Sequence, residues 1–263
     1  TAVQVAEYRA AEFSVKAQAA RASHVRGEKA HFDVEADYLY GAPMSGAAAR
    51  YTVSRQPAWF APAGSEGYST SDEVFRRDLD QASIPSSVLA SARTALGPRG
   101  ELGVDVPLGL PAQVSPESVR LDTDVTDISR QSIGGGASVL VHPAAFYLGI
   151  GELEDWFQPA PGKLQPRIVA LTPEGKRVPG RRVALELVRR HWALARTESD
   201  GGYQTVSKPV DEAIGKCTVV TKAEPQSCAL ELKESGYYLL LASAQDEKGN
   251  PTRSALGFYA LGA

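Results

Sequence analysis

The chain has few of the residues that mark special chemistry. Its 263 residues include two cysteines, one methionine, one asparagine and four histidines. Two cysteines cannot complete a tetrahedral zinc site without further ligands. The one asparagine, Asn250, precedes Pro251, so no N-glycosylation acceptor exists. No two histidines are spaced three or four residues apart, so we expect no helix-borne metal site, and no cofactor.

The chain also lacks long apolar runs. None approaches the roughly 18 residues of a membrane span, and the longest, Tyr237 to Ala242, has the length of a strand. The chain does not begin with Met, and it shows no signal peptide. Because it starts in what reads as the middle of a strand, we expect it to be a piece of a longer protein that makes no membrane contact of its own.

An excess of basic charge is missing too. The net charge is -3, whereas nucleic-acid binding usually requires a basic face. The pairs Arg181-Arg182 and Arg189-Arg190 are interpreted as solvated positions rather than as a phosphate site. With 43% apolar residues the chain can form real cores, and its length suits one large domain or two ordinary ones. We expect no nucleic-acid partner.

No catalytic template is present. The sequence contains no G-x-S-x-G elbow, no P-loop and no H-E-x-x-H motif. Gly149 and Gly151 lack the third glycine and the following helix of a dinucleotide site. These absences predict no catalytic residue and no enzyme.

Two acidic groups leave a choice open. Asp122 and Asp124 lie two apart on a predicted strand and could bind a cation through their carboxylates. They could equally form the wet face of an edge strand. Glu152, Glu154 and Asp155 leave the same alternatives in a loop.

Alternation with period two dominates the chain. In residues 31–38, Phe32, Val34, Ala36 and Tyr38 share one face, which is typical of a half-buried strand in an antiparallel sheet. Turn residues at 41–43 and renewed alternation to Val53 predict a hairpin there. A last hairpin is predicted from residues 237–244, a turn at 247–251 and residues 255–261.

The fold class predicted is all-β: two antiparallel β-sandwiches of fibronectin-III or immunoglobulin type in tandem, with one short inserted helix in the first. Residues 86–96 carry the helical pattern, which Gly97-Pro98 ends. The glycines at 134–136 suggest domains 1–136 and 137–263. No exact internal repeat is visible, so two diverged copies of one fold stay open.

The cysteines and four aromatic residues complete the candidates. Cys217 and Cys228 predict a disulfide across a hairpin, with 216–221 pairing with 227–232, or else two reduced, buried thiols. A disulfide favours an oxidising compartment. The aromatic residues could anchor a partner, pack between the domains or pack in the core of the second domain; they are Phe146, Tyr147, Trp156 and Phe157.

Two segments carry a family resemblance. Residues 5–15, VAEYRAAEFSV, resemble the junction that leads into a macroglobulin-like domain of α2-macroglobulins and complement proteins, although Ala11 stands where a proline is frequent. Residues 36–47, ADYLYGAPMSGA, resemble the hairpin A-x-Y-x-x-G-x-P-x-x-G-A. Residues 125–131 and 141–144 look like the end of one such domain and the start of the next. The chain is thus similar to bacterial α2-macroglobulins, and the resemblance assigns residues 1–12 to a strand that comes from a preceding domain.

The resemblance implies two macroglobulin-like domains of a protein that traps endopeptidases after a bait segment is cut. Its thioester requires Cys-x-Glu-Gln, which follows neither Cys217 nor Cys228, and no bait stretch is visible. We therefore expect a non-catalytic scaffold in the periplasm or cell envelope. Its partners are neighbouring domains of the parent and, through the parent, target endopeptidases. The alternative is a β-sandwich adhesion or carbohydrate-binding module, which needs a concave aromatic or ion-binding face.

Overall fold

The computed structural model describes residues 12–77, 87–110, 113–199 and 202–262. Most of the junction motif at residues 5–15 therefore lies outside the described residues. The described chain forms two compact units. The first unit comprises the residues up to Ala58, residues 87–110 and Glu117–Val141. The second comprises residues 59–77, residues 113–116 and the chain from His142 onward.

The first unit is a sandwich of a three-stranded sheet, ordered β1-β3-β7, and a five-stranded sheet, ordered β2-β9-β8-β4-β6. The pairs β1-β3, β3-β7, β4-β6, β4-β8 and β8-β9 are antiparallel. Its strands are β1 (Phe13–Ala19), β2 (Ser23–Val25), β3 (Lys29–Tyr38), β4 (Ala48–Pro57), β6 (Ser87–Ala95), β7 (Glu101–Pro107), β8 (Glu117–Thr126) and β9 (Ser132–His142).

The second unit has a three-stranded sheet, β13-β10-β5, a five-stranded sheet, β11-β18-β17-β14-β15, and the pair β12-β16. Strand β11 runs parallel to β18, and the other pairs are antiparallel. Its elements are β5 (Tyr68–Ser69), α1 (Glu73–Arg77), β10 (Tyr147–Gly151), β11 (Phe157–Ala160), β12 (Gly162–Leu164), β13 (Ile168–Leu171), β14 (Arg182–Ser199), β15 (Gly202–Val220), β16 (Leu230–Leu232), β17 (Gly236–Gln245) and β18 (Pro251–Gly262).

The all-β fold predicted from alternation is confirmed. On β3, Phe32, Val34 and Ala36 are buried in the cores of the first unit, while the residues between them face solvent. The hairpin of β17 and β18 is also confirmed, since Leu240 pairs with Leu256 in an antiparallel register. Side chains that alternate between water and core specify the register of each strand, because a slip of one residue would expose the apolar set.

The hairpin predicted from residues 31–53 is wrong. Strand β3 pairs with β1 and β7, whereas β4 pairs with β6 and β8 in the opposite sheet. The turn after Tyr38 therefore carries the chain from one sheet to the other. Alternation shows that a segment is a strand, but it does not show which strand is its partner.

The helix predicted at residues 86–96 is also wrong, because Ser87–Ala95 form the edge strand β6. Leu89 and Leu96 pack against the first unit, but Val88 is 65% exposed, so the residues share no buried helical face. Pairing with β4 supplies the backbone hydrogen bonds and overrides a weak helical pattern. The one helix among the described residues, α1, lies instead at Glu73–Arg77 and belongs to the second unit.

The division near residue 136 stays a prediction as a domain assignment. The glycines that suggested it lie within β9, where Gly134 to Gly136 pair with residues of β8. Packing divides the units after Val141.

The two five-stranded sheets share one topology. The order β2-β9-β8-β4-β6 of the first corresponds, strand for strand along the chain, to β11-β18-β17-β14-β15 of the second. In the three-stranded sheets, β1 beside β3 likewise corresponds to β10 beside β13. The structure therefore presents two copies of one sandwich, the possibility that the sequence left open.

Matching hydrogen bonds support this correspondence. The amide of Gly41 donates to the carbonyl of Tyr38 at 2.8 Å, and that of Gly175 donates to Thr172 at 2.9 Å. Both glycines have positive φ, 91° and 88°, a conformation that favours glycine. Further along, the amide of Gly46 donates to the carbonyl of Leu96, directly after β6, and the amide of Gly180 donates to that of Thr221, directly after β15. The turn quoted above for its family resemblance thus occurs twice.

Candidate functional site

The carboxylates of Asp122 and Asp124 form ion pairs. Asp122 pairs with Arg120 at 2.8 Å, and Asp124 pairs with Arg50 at 2.8 Å. Within the described ranges, no group of three His, Cys, Asp or Glu side chains could hold a metal ion. Of the two alternatives for Asp122 and Asp124, the geometry matches the wet face of a sheet, but the expected edge position is wrong, because β8 lies between β4 and β9.

The two cysteines form a disulfide, Cys217–Cys228. The hairpin expected around them is wrong, because β15 pairs with β14 and β16 pairs with β12. The bond instead joins β15 to the segment before β16. Both half-cystines pack against the core of the second unit. No thiol remains, since these are the only cysteines of the chain.

The four aromatic candidates separate into two pairs. Phe146 and Tyr147 are buried, at 1% and 2% exposure, and Phe146 belongs to the core of the second unit. Trp156 and Phe157 are exposed at 72% and 57%. Assigning these residues to a domain junction stays a prediction.

Residues 68–77 cover the face of the second unit's large sheet that points away from its core. Ser69 accepts a hydrogen bond from Ser254 at 2.6 Å and donates one to Ala255 at 2.7 Å. The amide of Ala255 donates to the carbonyl of Ser71 at 2.8 Å. On this same face, Leu239 is fully buried even though alternation directs it away from the core. A segment that precedes β6 in the chain thus completes the second unit.

Arg190 fixes α1 on this face. Its side chain is fully buried, and it binds both carboxylate oxygens of Asp211 at 2.7 and 2.8 Å. It also donates to the carbonyl of Phe75 at 3.3 Å and lies over the Phe75 ring at 5.1 Å. A buried guanidinium is tolerated when its donors are used in this bidentate way. Arg190 had been interpreted from the sequence as a solvated residue, so its buried role was not predicted.

The carboxyl of Asp72, directly before α1, is buried, which disfavours its charged form. Burial raises the pKa of its carboxyl, and Arg76, although only 2.7 Å away, does not fully offset this. Its second oxygen, Oδ2, is buried without a hydrogen-bond partner among the described residues. We expect α1 to depend on the contacts of Arg190 more than on Asp72.

An aromatic row crosses four neighbouring strands of the same sheet beside α1. It consists of Phe157 on β11, Tyr259 on β18, Tyr237 on β17 and Trp192 on β14. Successive ring centroids are 6.0, 5.0 and 5.7 Å apart. Phe157, Tyr259 and Trp192 are between 45% and 57% exposed. A large aromatic surface therefore faces solvent.

A cleft of about 700 Å³ lies along the aromatic row. Residues from α1, β14, β17 and β18 line it, together with Glu152, Leu153 and Trp156 of the loop after β10. Glu154 and Asp155 are exposed in the same loop. The cleft thus combines aromatic walls with an acidic rim.

Comparison with known proteins gives one curated match. No family model matches the chain. An alpha-2-macroglobulin homolog of Nostoc sp. is 29% identical over 248 residues, which are 93% of this chain and 13% of that protein. The chain is thus similar to part of a bacterial alpha-2-macroglobulin homolog. It spans only about an eighth of the length of this curated relative.

Solved structures show the same fold. The native conformation of E. coli alpha-2-macroglobulin matches 97% of this chain with a TM-score of 0.65 at 18% identity, over 16% of its own length. Salmonella alpha-2-macroglobulin reacted with methylamine matches 97% with a TM-score of 0.64 at 17% identity, over 17% of its length. The two units are therefore macroglobulin-like β-sandwiches.

No helix in the described part of the chain has the length and apolar character needed to cross a membrane. The disulfide is the structural feature that bears on the compartment, since such bonds persist in oxidising surroundings.

Proposed function

We propose that these two sandwiches are a non-catalytic scaffold of a bacterial alpha-2-macroglobulin, which traps endopeptidases after its bait segment is cut. The observation that carries the proposal is the match along 93% of the chain to an alpha-2-macroglobulin homolog. The match covers both units rather than one. The partners proposed are neighbouring domains of the parent and, through the parent, its target endopeptidases.

The chemistry of the chain supports a scaffold role. A thioester needs a cysteine thiol, and both cysteines of this chain are used in the disulfide. The described residues also assemble no group of three His, Cys, Asp or Glu side chains that could hold a hydrolytic metal ion. Covalent capture and bait cleavage would thus belong to other parts of the parent.

The disulfide bears on the compartment of the parent. We place the parent in the periplasm or cell envelope, where the disulfide would persist.

The test uses the 263-residue chain and the full-length parent side by side. Each is mixed with trypsin or elastase at equal molar ratio, and cleavage of a large protein substrate is followed. We expect the parent to inhibit and the chain alone to leave proteolysis unchanged. Stoichiometric inhibition by the chain alone would overturn the scaffold proposal, and an inactive parent would overturn the family function.

A further inference from the structure

The second unit carries an exposed surface that the scaffold role does not explain. Alternation along β14 places Trp192 and Leu194 on the same face, and Leu194 is 79% exposed. Together with Trp156 and the aromatic row, these residues form one continuous apolar strip. Monomeric soluble domains rarely expose so many large apolar side chains in one place unless something binds there.

The loop beside this strip is acidic. Glu152, Glu154 and Asp155 fall within four residues, all three are exposed, and Trp156 follows them directly. Among the residues that the structure describes, none of these carboxylates forms an ion pair, whereas exposed Glu247 of the same unit pairs with Arg181 at 2.8 Å. Arg77 of α1 is a basic residue that lines the same cleft, and the loop itself keeps its negative charge.

The two features together define a chemistry. A Lys or Arg side chain is attracted to carboxylates and also to the face of a tryptophan ring. Trp156, which is 72% exposed beside three carboxylates, offers both at once. Leucine-like or aromatic side chains would fill the cleft of about 700 Å³ along the aromatic row.

We infer that the aromatic row and the acidic loop at residues 152–155 form a docking surface for a cationic, apolar polypeptide segment. Basic side chains of the segment lie at the loop and over Trp156, and its apolar side chains enter the cleft. The surface belongs entirely to the second unit. The inference goes beyond the proposed scaffold function and does not rest on protease trapping.

Fluorescence anisotropy with a labelled ten-residue peptide of alternating Lys and Leu tests this inference on the 263-residue chain. Two control peptides replace either every Lys by Glu or every Leu by Ser. We expect the Lys-Leu peptide to bind at least tenfold more tightly than both controls. We also expect its affinity to fall as salt is raised, since exposed charges are screened. Equal binding of either control peptide would overturn the inference.

Matched variants locate the surface. Trp156→Ala, in a loop, is expected to weaken binding at least fivefold, and the triple variant E152Q/E154Q/D155N is expected to weaken it similarly and to remove most of its salt dependence. Trp59→Ala, at an 83% exposed tryptophan that does not line the cleft, is the control for the first. E224Q/E231Q, at exposed glutamates outside the cleft, is the control for the second. Equal losses in a variant and its control would contradict the placement.

Two further experiments test whether a carbohydrate or a neighbouring domain occupies this surface instead. If a hexamer of N-acetylglucosamine competes with the peptide at lower concentration than the peptide itself, the surface binds carbohydrate and the inference fails. If the full-length parent does not bind the peptide that the 263-residue chain binds, a neighbouring domain occupies the surface, and the inference fails as well. Retention of binding by the parent is the expected result.

Discussion

The two sandwiches connect the same pair of strands in opposite ways. In the first unit, β4 and its edge neighbour β6 are separated by residues 58–86, of which 59–77 belong to the second unit. In the second unit, the equivalent strands β14 and β15 continue into each other and pair up to Ser199 and Gly202. A long insertion at such a position adds little loop-closure entropy, because that cost grows only with the logarithm of length. The same topology thus accommodates two kinds of connection between equivalent strands. One is a long insertion that is part of the neighbouring unit, and the other is a two-stranded ribbon.

The units also differ in what holds them together. The first relies on apolar cores and ion pairs, among them the largely buried Arg55–Glu117 pair, while the second adds a disulfide and the buried, bidentate Arg190–Asp211 pair. All three tryptophans, at 59, 156 and 192, belong to the second unit. Tryptophan fluorescence thus follows the second unit alone, and far-UV circular dichroism follows both. The two signals together therefore distinguish the stability of the two units.

The largest effect is expected at Arg190. Replacing it by Met leaves Asp211 and the Phe75 carbonyl without their donor, and we expect the second unit to lose about 3 kcal/mol of unfolding free energy. The register places Gln56, which is exposed, at the corresponding position of the first unit. Gln56→Ala is the matched control and should change stability by less than about 0.5 kcal/mol. Urea unfolding is followed by fluorescence for Arg190→Met and by far-UV circular dichroism for Gln56→Ala, and similar losses in both variants would contradict the role given to Arg190.

The disulfide should come next. Replacing both Cys217 and Cys228 by Ala is expected to cost about 2–3 kcal/mol, because the bond closes a loop with a sequence separation of 11. The loss should appear in the fluorescence transition and not in a transition of the first unit. The wild-type chain with dithiothreitol should behave like the double variant. A reductant effect that persists in the double variant would show that another process is being measured.

A smaller, pH-dependent effect is expected at Asp246. Burial alone would raise the pKa of its carboxyl, but hydrogen bonds from Asn250, Ala145 and Lys248 outweigh it and hold the pKa below its usual range. A depressed pKa contributes stability that is present above about pH 4, the unfolded value, and is lost as the pH falls through the folded value. Asp246→Asn should therefore cost about 1.5 kcal/mol at pH 7, with the difference from wild type shrinking as the solution is acidified towards pH 2.

The measurement for Asp246 is urea unfolding at a series of pH values. Glu224→Gln, at an exposed side chain, is the charge-matched control and should show no such convergence. A cost for Asp246→Asn that stays constant down to pH 2 would refute the explanation.

The smallest effects compare two matching loops. Arg130 follows β8 and Gly249 follows β17 in turns with the same hydrogen bonds, and their φ angles are 65° and 78°. A side chain is disfavoured in this conformation by about 1 kcal/mol. Arg130→Gly should therefore stabilise the first unit by up to about 1 kcal/mol, and Gly249→Ala should destabilise the second by a similar amount.

Nothing lies within 4 Å of a Cβ built on Gly249, so the backbone alone sets its cost. Unfolding followed by circular dichroism and by fluorescence assigns each change to its unit. A loss of stability on Arg130→Gly would show that the arginine side chain makes contacts that outweigh the backbone strain.

Residues 31–38 show which features of the fold can be predicted from the sequence and which cannot. Their alternation indicated a half-buried strand, and β3 occupies them with the expected residues in the core. The same alternation could not identify the partner strand, so the hairpin with residues 47–53 was wrong. At residues 86–96 a chance helical spacing outweighed the strand signal, because edge strands carry little apolar alternation of their own.

The candidate site was only partly accessible to sequence reasoning. Trp156 and Phe157 were singled out as aromatic residues able to anchor a partner, and both are exposed beside the cleft. Trp192, Tyr237 and Tyr259 were not, because they come from separate strands. Only the sheet order brings them next to one another.

By itself, the sequence determined that the chain is all-β, since period-two alternation and turn glycines depend on local chemistry. It also carried, in residues 36–47, a resemblance to macroglobulin-like domains. The tertiary structure alone decided that residues 59–77 complete the second unit and that Arg190 is buried rather than solvated. On β14, alternation directs Arg190 away from the core, where water would normally meet it. A segment more than a hundred positions earlier in the chain covers it instead, and no local pattern records such a contact, because burial depends on what folds over a residue from elsewhere.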